Sequence, residues 1–395
     1  MPALTLETAS QPHGRDARIV RARRKRVPLA PPLPAADPAN ARSARDAGLV
    51  HVCDRSPGIT RQRIGEAFAY FGPGGERITD AVALQRIGAL AVPPAYTDVW
   101  ICPRENGHLQ ATGRDARGRK QYRYHARWQQ VRGEGKFDRI VEFGEALPKL
   151  RRRLRSDLAR SGFPREKVLA IVIAVMAETL VRVGNDEYAR TNKSFGLTTL
   201  RNRHVAFLKG GRARFRFRGK AGLEHEIVLD DARLARLVQR CQQLPGQALF
   251  QYRDDDGQLQ PVGSDEVNDY LRDAMGEAFT AKDFRTWGGT LTAVRFFSRT
   301  PLPVGDDGTC SERALVAAQK EVVECVARAL GNTPAVCRKS YIDPAVFEGW
   351  RSGALQRIGE HARGVRQWER VTLQFLRSAR RRAARAKRAR TRSRR

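Results

Sequence analysis

The chain has 395 residues, 41% of them hydrophobic, enough for about two or three domains with real cores. Lysine and arginine outnumber aspartate and glutamate by 73 to 42, and the formal charge of +31 points to a polyanionic partner, nucleic acid first and an anionic membrane surface second. The six cysteines lack C-x-x-C spacing, which argues against a zinc site or disulfide framework, and the most apolar stretch, Val168 to Ala177, falls well short of the about 20 residues a membrane span needs.

No N-terminal run resembles a signal peptide, because its apolar residues are interrupted by Thr, Glu, Ser and Gln, so a cytoplasmic protein is expected. Residues 1–43 join a basic cluster (Arg21, Arg23, Arg24, Lys25, Arg26) to a Pro/Ala stretch from Pro28 to Pro38, and read as a disordered arm. Residues 44–145 read as a strand-rich domain. Strands are predicted at Val99 to Cys102, His108 to Thr112 and Lys120 to His125, with a turn from Gly113 to Gly118 and one helix opened by Thr79 or Asp80. Residues 146–365 read as mainly helical, with helices at Lys149 to Ser161, Arg165 to Val183, Ala232 to Gln243, Ser264 to Ala278 and Glu312 to Leu330. A small sheet is embedded there: Phe215 and Phe217 alternate with Arg214, Arg216 and Arg218, and Gly219-Lys220-Ala221-Gly222 turns the chain into Leu223 to Leu229. Residues 366–395 form a basic tail, almost all Arg, Lys and Ala from Arg377 onward, expected to lie solvated against phosphates. The fold class is α+β: a strand-rich N-terminal domain, then a mainly α-helical catalytic domain with a small antiparallel sheet.

Four places combine residue types that could carry chemistry. Arg182 follows an almost wholly apolar helix, where a guanidinium is costly unless paired or used; Glu178, one turn earlier, is its plain structural partner. Lys220 sits between glycines at a hairpin tip, projecting into a groove or simply into solvent. Arg285, in Asp283-Phe284-Arg285-Thr286-Trp287-Gly288, stands in a helix's first turn against the dipole preference, which an anion held nearby would offset. In the last segment Gly331 ends one helix, Thr333 caps the next and Pro334 takes its first position, leaving Asn332 in the joint and Tyr341 at the end of a short helix, where packing is a tyrosine's ordinary role. Together these fit one chemistry. Breaking a phosphodiester without metal needs a nucleophile, cations against the developing charge and an acid for the leaving oxygen. Tyr, two Arg, a Lys and a neutral donor supply that set. Neither the acidic clusters of a metal nuclease nor a Gly-rich phosphate loop is present, so no cofactor or metal is expected.

The order and context of these residues resemble the type IB DNA topoisomerases, most closely the poxvirus-like form found in bacteria, over roughly residues 48–350. The motifs that carry the resemblance are Gly113-x-Asp115-x-x-Gly118-Arg119-Lys120-Gln121-Tyr122-x-Tyr124, Gly196-Leu197-Thr198-Thr199-Leu200-Arg201-Asn202-Arg203-His204, Phe217-x-Gly219-Lys220, the Arg285 motif and the segment from Gly331 to Tyr341. It implies that Tyr341 is the nucleophile of a 3′-phosphotyrosyl intermediate and Lys220 the general acid for the 5′ oxygen. Arg182 and Arg285 would clamp the nonbridging oxygens. Asn332, where viral and nuclear enzymes carry His, would donate a hydrogen bond to the phosphate. DNA contacts are implied for Arg119, Lys120, Gln121, Tyr122 and Tyr124, with Arg117 in the same basic turn. Strand alternation sets Tyr122 and Tyr124 opposite Gln121 and Arg123, so all reach one surface only from an edge strand or a bent turn. The implied activity is relaxation of supercoiled duplex DNA without ATP or metal, by a monomer that closes its two halves around nucleoid DNA like a clamp. A tyrosine recombinase shares the Arg, Lys, Arg and Tyr chemistry, and Lys282 suits either family; the strand-rich first half argues against it. A DNA-packaging protein fits the charge but leaves five ordered motifs unexplained.

Overall fold

The computed structural model describes residues 38–116, 118–276, 279–305, 308–360 and 362–392. The arm expected before Pro38 lies outside them, as does Arg117. The chain divides between Trp128 and Gln129 into two compact units.

In the first unit α1 (Pro38–Asp46) precedes the hairpin of β1 (Ile59–Ile64) and β2 (Ala67–Phe71), α2 (Ala81–Ala89), and then β3 (Thr97–Ile101), β4 (Leu109–Arg114) and β5 (Lys120–Tyr124). Residues 38–43, assigned from sequence to the arm, are thus helical, and Ala44 behind them is buried. The strands form one antiparallel sheet in the order β2-β1-β3-β4-β5 over a core of Ile59, Ile87, Val99, Ile101 and Ala111. Asp80 opens α2, its carboxylate accepting from Ala83 N at 2.7 Å. Among the described residues β5 is an edge strand, paired with β4.

Helices begin at α3 (Ala126–Asp138) and α4 (Ile140–Leu158), well before the end of the region read as strand-rich. Pro148 favours a helix start at Lys149; it lies instead inside α4, because Phe143, Leu147, Leu150 and Leu154 form one buried stripe across it. An interior proline costs about 3 kcal/mol, which burial of such side chains, about 1.5–3 kcal/mol each, more than offsets. α5 (Arg165–Thr179) is apolar all round and buried along most of its length. It ends four residues before the predicted Val183, because Leu180 takes a left-handed conformation (φ 54°) and its N–H caps Met176 O. After α6 (Asp186–Asn192) come β6 (Val205–Leu208), β7 (Arg212–Arg218) and β8 (Glu224–Leu229), a three-stranded antiparallel sheet whose first strand is not among the predicted elements. Ala213, Phe215 and Phe217 of β7 are buried, as their alternation requires.

α7 (Ala232–Gln242), the ribbon of β9 (Gln251–Arg253) and β10 (Leu259–Pro261), and α8 (Ser264–Met275) lead to α9 (Ala281–Phe297) and α10 (Glu312–Leu330). α8 stops at a left-handed Gly276 rather than at Ala278, which lies outside the described residues. Then follow α11 (Pro334–Ser340), α12 (Pro344–Arg351), α13 (Ala354–Gly359) and α14 (Gly364–Arg392). The first part of α14 is no tail: Trp368, Thr372, Phe375 and Leu376 are buried, and Arg380 reaches the buried carboxylate of Asp343. Arg366, Arg370 and Arg377 on its outer face are exposed, and beyond Arg380 so are Arg381, Arg382, Arg385 and Arg388.

Candidate active site

The catalytic candidates meet against α9. Thr280 opens it in a reciprocal cap with Asp283, whose Oδ2 accepts from Thr280 N at 2.8 Å. Arg285 follows on the buried face, only 5% exposed. Its guanidinium donates to Leu180 O and, at 2.8 Å, to Leu330 O, and lies 5.0 Å over the Tyr341 ring. Those carbonyls belong to the C-terminal ends of α5 and α10, so two helix ends offset the unfavourable first-turn position. One arginine therefore ties together the end of α5, the end of α10 and the tyrosine.

Arg182 stands just beyond the α5 cap and donates to Asn332 Oδ1 rather than pairing with Glu178. Asn332 occupies the joint between α10 and α11, held by its N–H to Ala327 O at 3.0 Å. Gly331, left-handed at φ 57°, closes α10, and Thr333 Oγ1 caps α11. Among the described residues, Asn332 Nδ2 and Arg285 Nε are both buried without an acceptor, two donors free for an anion. Burial and the neighbouring Arg285 push the Arg182 guanidinium below its ordinary range, with Tyr341 opposing. Paired guanidiniums repel, and an oxyanion between them relieves that repulsion.

Tyr341 caps α11, its N–H on Cys337 O at 2.9 Å. Its own carbonyl accepts from Thr290 Oγ1 at 3.2 Å, and that hydroxyl accepts from Asp343 N at 3.1 Å. Gly289 allows the close approach: a Cβ there would lie 2.6 Å from Tyr341 O. Lys220 is exposed at the β7–β8 tip, where Gly219 N bonds Leu223 O at 2.7 Å and Ala221 takes φ 64°. It lines the same pocket as Arg182, Arg285 and Leu330.

Three residues of this site are absent from the set that the sequence singles out. Gly289 and Thr290 seat the tyrosine from α9 and follow directly on the Arg285 motif, which ends at Gly288. His225 of β8 also lines the pocket, its ring stacked 5.2 Å from Phe217. The available signal is its register: it shares the apolar side of β8 with Ile227 and Leu229.

The candidate DNA-contacting strand is β5. Asp115 organises its turn, accepting from Arg119 Nε at 2.8 Å and Gln121 Nε2 at 2.9 Å, while Lys120 pairs with Asp54. Tyr122 and Tyr124 are 49% and 39% exposed and stack at 6.0 Å with rings 9° apart. Among the described residues no three His, Cys, Asp or Glu side chains gather as a metal site, and no helix is long and apolar enough to cross a membrane.

Residues 125–353 match the family model of the eukaryotic DNA topoisomerase I catalytic core, more than half of the chain. The chain belongs to the type IB DNA topoisomerases. Residues 67–115 further match the N-terminal domain of bacterial DNA topoisomerase IB. DNA topoisomerase 1B of Acanthamoeba polyphaga mimivirus is 32% identical over 290 residues, covering 72% of this chain and 85% of the viral one. The vaccinia virus (strain Copenhagen) DNA topoisomerase 1B is 24% identical over 284 residues, 68% and 82% of the two chains. The monkeypox virus DNA topoisomerase I matches at the same identity and coverage. This topoisomerase therefore acts on DNA, with a mixed α+β architecture whose catalytic region is mainly helical.

Proposed function

We propose that this topoisomerase relaxes supercoiled duplex DNA by transesterification at Tyr341. The phenolic oxygen attacks the scissile phosphorus and its proton passes to water. The P–O5′ bond breaks, and Lys220 gives the departing 5′ oxygen a proton. One strand then carries a 3′-phosphotyrosyl bond and a free 5′-hydroxyl; the other strand and the free end rotate, and the reverse steps reseal the nick. The ester conserves the energy of the phosphodiester, so religation needs neither ATP nor metal. Arg182 and Arg285 hold the nonbridging oxygens, and Asn332 donates Nδ2–H to one of them, a role an amide fills without titrating. Arg119, Lys120, Gln121, Tyr122 and Tyr124 follow the duplex from the β5 edge, by phosphate contact and aromatic surface rather than base readout. The enzyme works as a monomer on nucleoid DNA in the cytoplasm.

The observation that carries this reading is the Arg285 guanidinium, which lies 5.0 Å over the Tyr341 ring and belongs to a residue that lines one pocket with Arg182 and Lys220. The test is relaxation of supercoiled plasmid in excess EDTA without nucleotide, comparing wild type with Tyr341→Phe. Wild type is expected to relax the plasmid, and Y341F to bind it and leave it supercoiled. A requirement for Mg²⁺ or ATP, or an active Y341F, refutes the mechanism.

A further inference from the structure

His225 sits where the lysine hairpin meets the joint between α10 and α11. A Cβ added to Gly219 would lie 2.4 Å from its Cδ2, and one added to Gly331 would lie 2.3 Å from its Cε1. The imidazole therefore fills a slot that only two glycines leave open, one immediately before Lys220 and the other immediately before Asn332. Phe217 closes the slot, its ring stacked 17° from parallel. Gly219 has no need of a left-handed backbone, with φ −98°, so the absent Cβ serves the contact rather than the turn. The Lys220 side chain is exposed, and no ion pair or side-chain hydrogen bond anchors it among the described residues. Its backbone is all the fold can hold, and His225 packs against Gly219, the residue immediately before it.

We propose that His225 is a positioning residue, a flat wedge between Gly219 and Gly331 that sets the Lys220 turn at the reach from Arg182 and Arg285 that leaving-group protonation requires. It acts through Lys220, so the inference rests on Lys220 being the proton donor. Misplacing an acid by a fraction of its hydrogen-bond distance loses much of its effect while leaving phosphate binding intact. Arg285 and the nucleophile are held by separate contacts, Leu180 O, Leu330 O, Thr290 and Asp343, whereas Arg182 is held by Asn332, the residue after Gly331.

The test is single-turnover cleavage at a mapped site, with DNA whose bridging 5′ oxygen is either oxygen or sulfur. A thiolate leaves without a proton, so the sulfur substrate bypasses the acid: Tyr341 forms its O–P bond, the P–S bond breaks, and sulfur keeps the electron pair. His225→Ala is expected to cleave the oxygen substrate about 10–100-fold slower than wild type, part of the full effect of a general acid, and the sulfur substrate within about 3-fold. Lys220→Ala is the reference and is rescued by sulfur in the same way. An H225A rate near wild type on oxygen, or equal slowing on both substrates, overturns the inference. A rescued K220A beside an unrescued H225A removes the inference alone, whereas an unrescued K220A removes the proton-donor reading and the inference with it. Should H225A lose its thermal transition, His225→Leu, of similar bulk without the flat ring, enters the same comparison.

Discussion

In the proposed mechanism Asn332 separates hydrogen bonding from charge at the phosphate. Its Oδ1 is taken by Arg182, which leaves only Nδ2 for an anion. Asn332→Ala is expected to slow cleavage about 10²-fold, the low end for loss of one preorganised donor. Asn332→Asp should be slower still, because a carboxylate faces the phosphate and engages Arg182; single-turnover cleavage of both variants checks the order, and an N332D as fast as wild type refutes the donor role. A second single-residue effect concerns stability. Burial, Arg203 and Arg201 push the His204 imidazole below its ordinary 6.5, and its Nδ1 accepts from Arg201 N at 3.0 Å. His225 is likewise lowered by burial, Arg182 and Arg285. For both, the unfolded chain binds the proton more readily than the folded one, so their contribution is complete above about 6.5 and is lost as pH falls below it. Thermal unfolding is expected to be level from pH 8 to 7 and to drop by pH 5.5, with His204→Gln flattening part of the drop. At this scale the sequence is most legible where chemistry and helix punctuation coincide, as at Gly331, Thr333 and Pro334. Thr290 is illegible because its role is a long-range contact, the Thr290–Tyr341 bond across 51 positions.

Elements whose ends are set by local chemistry are read closely from sequence. α10 runs from the Ser311 cap to Gly331, and β7 keeps its alternation. Differences arise where tertiary burial overrides a local signal. α4 passes through Pro148 because its apolar stripe continues on both sides, and α5 stops at Leu180, a residue with no sequence mark of a left-handed cap. That early stop is what frees Arg182 from the helix and lets Leu180 O accept from Arg285. α14 is anchored to the segment after Tyr341: Arg380 pairs with Asp343, which also caps α12 through Ala345 N at 2.9 Å. Arg380→Ala is expected to destabilise the protein by about 3–5 kcal/mol, since it leaves a buried carboxylate unpaired. The double variant R380A/D343N keeps the cap and removes the charge, so its unfolding midpoint in denaturant should recover most of that deficit. Equal midpoints for R380A and wild type would mean the pair contributes nothing.

For the whole molecule, the charge of +31 correctly indicates a polyanionic partner but not where its phosphates lie. Acidic partners occupy part of the basic set: Asp115 holds Arg119, Asp54 holds Lys120 and Glu145 holds Arg377. Neutralising about six to ten phosphates would lower DNA affinity by about 10³–10⁵-fold between about 50 and 200 mM salt. Replacing the exposed Arg381, Arg382, Arg385 and Arg388 by Gln should reduce the slope of log affinity against log salt by up to about 0.9 for each phosphate no longer neutralised. An unchanged slope would assign those arginines to solvent alone. The burial of α14's first turns also bears on the order in which the enzyme becomes dangerous during its own synthesis. All five proposed catalytic residues have been made once Tyr341 is added, yet Asp343 beside it acquires its partner only when Arg380 has been added and α14 has packed. On the proposed mechanism, a ribosome still translating that helix has already made every proposed catalytic side chain while the Tyr341 segment is unsecured, so strand cleavage is expected only after α14 has packed.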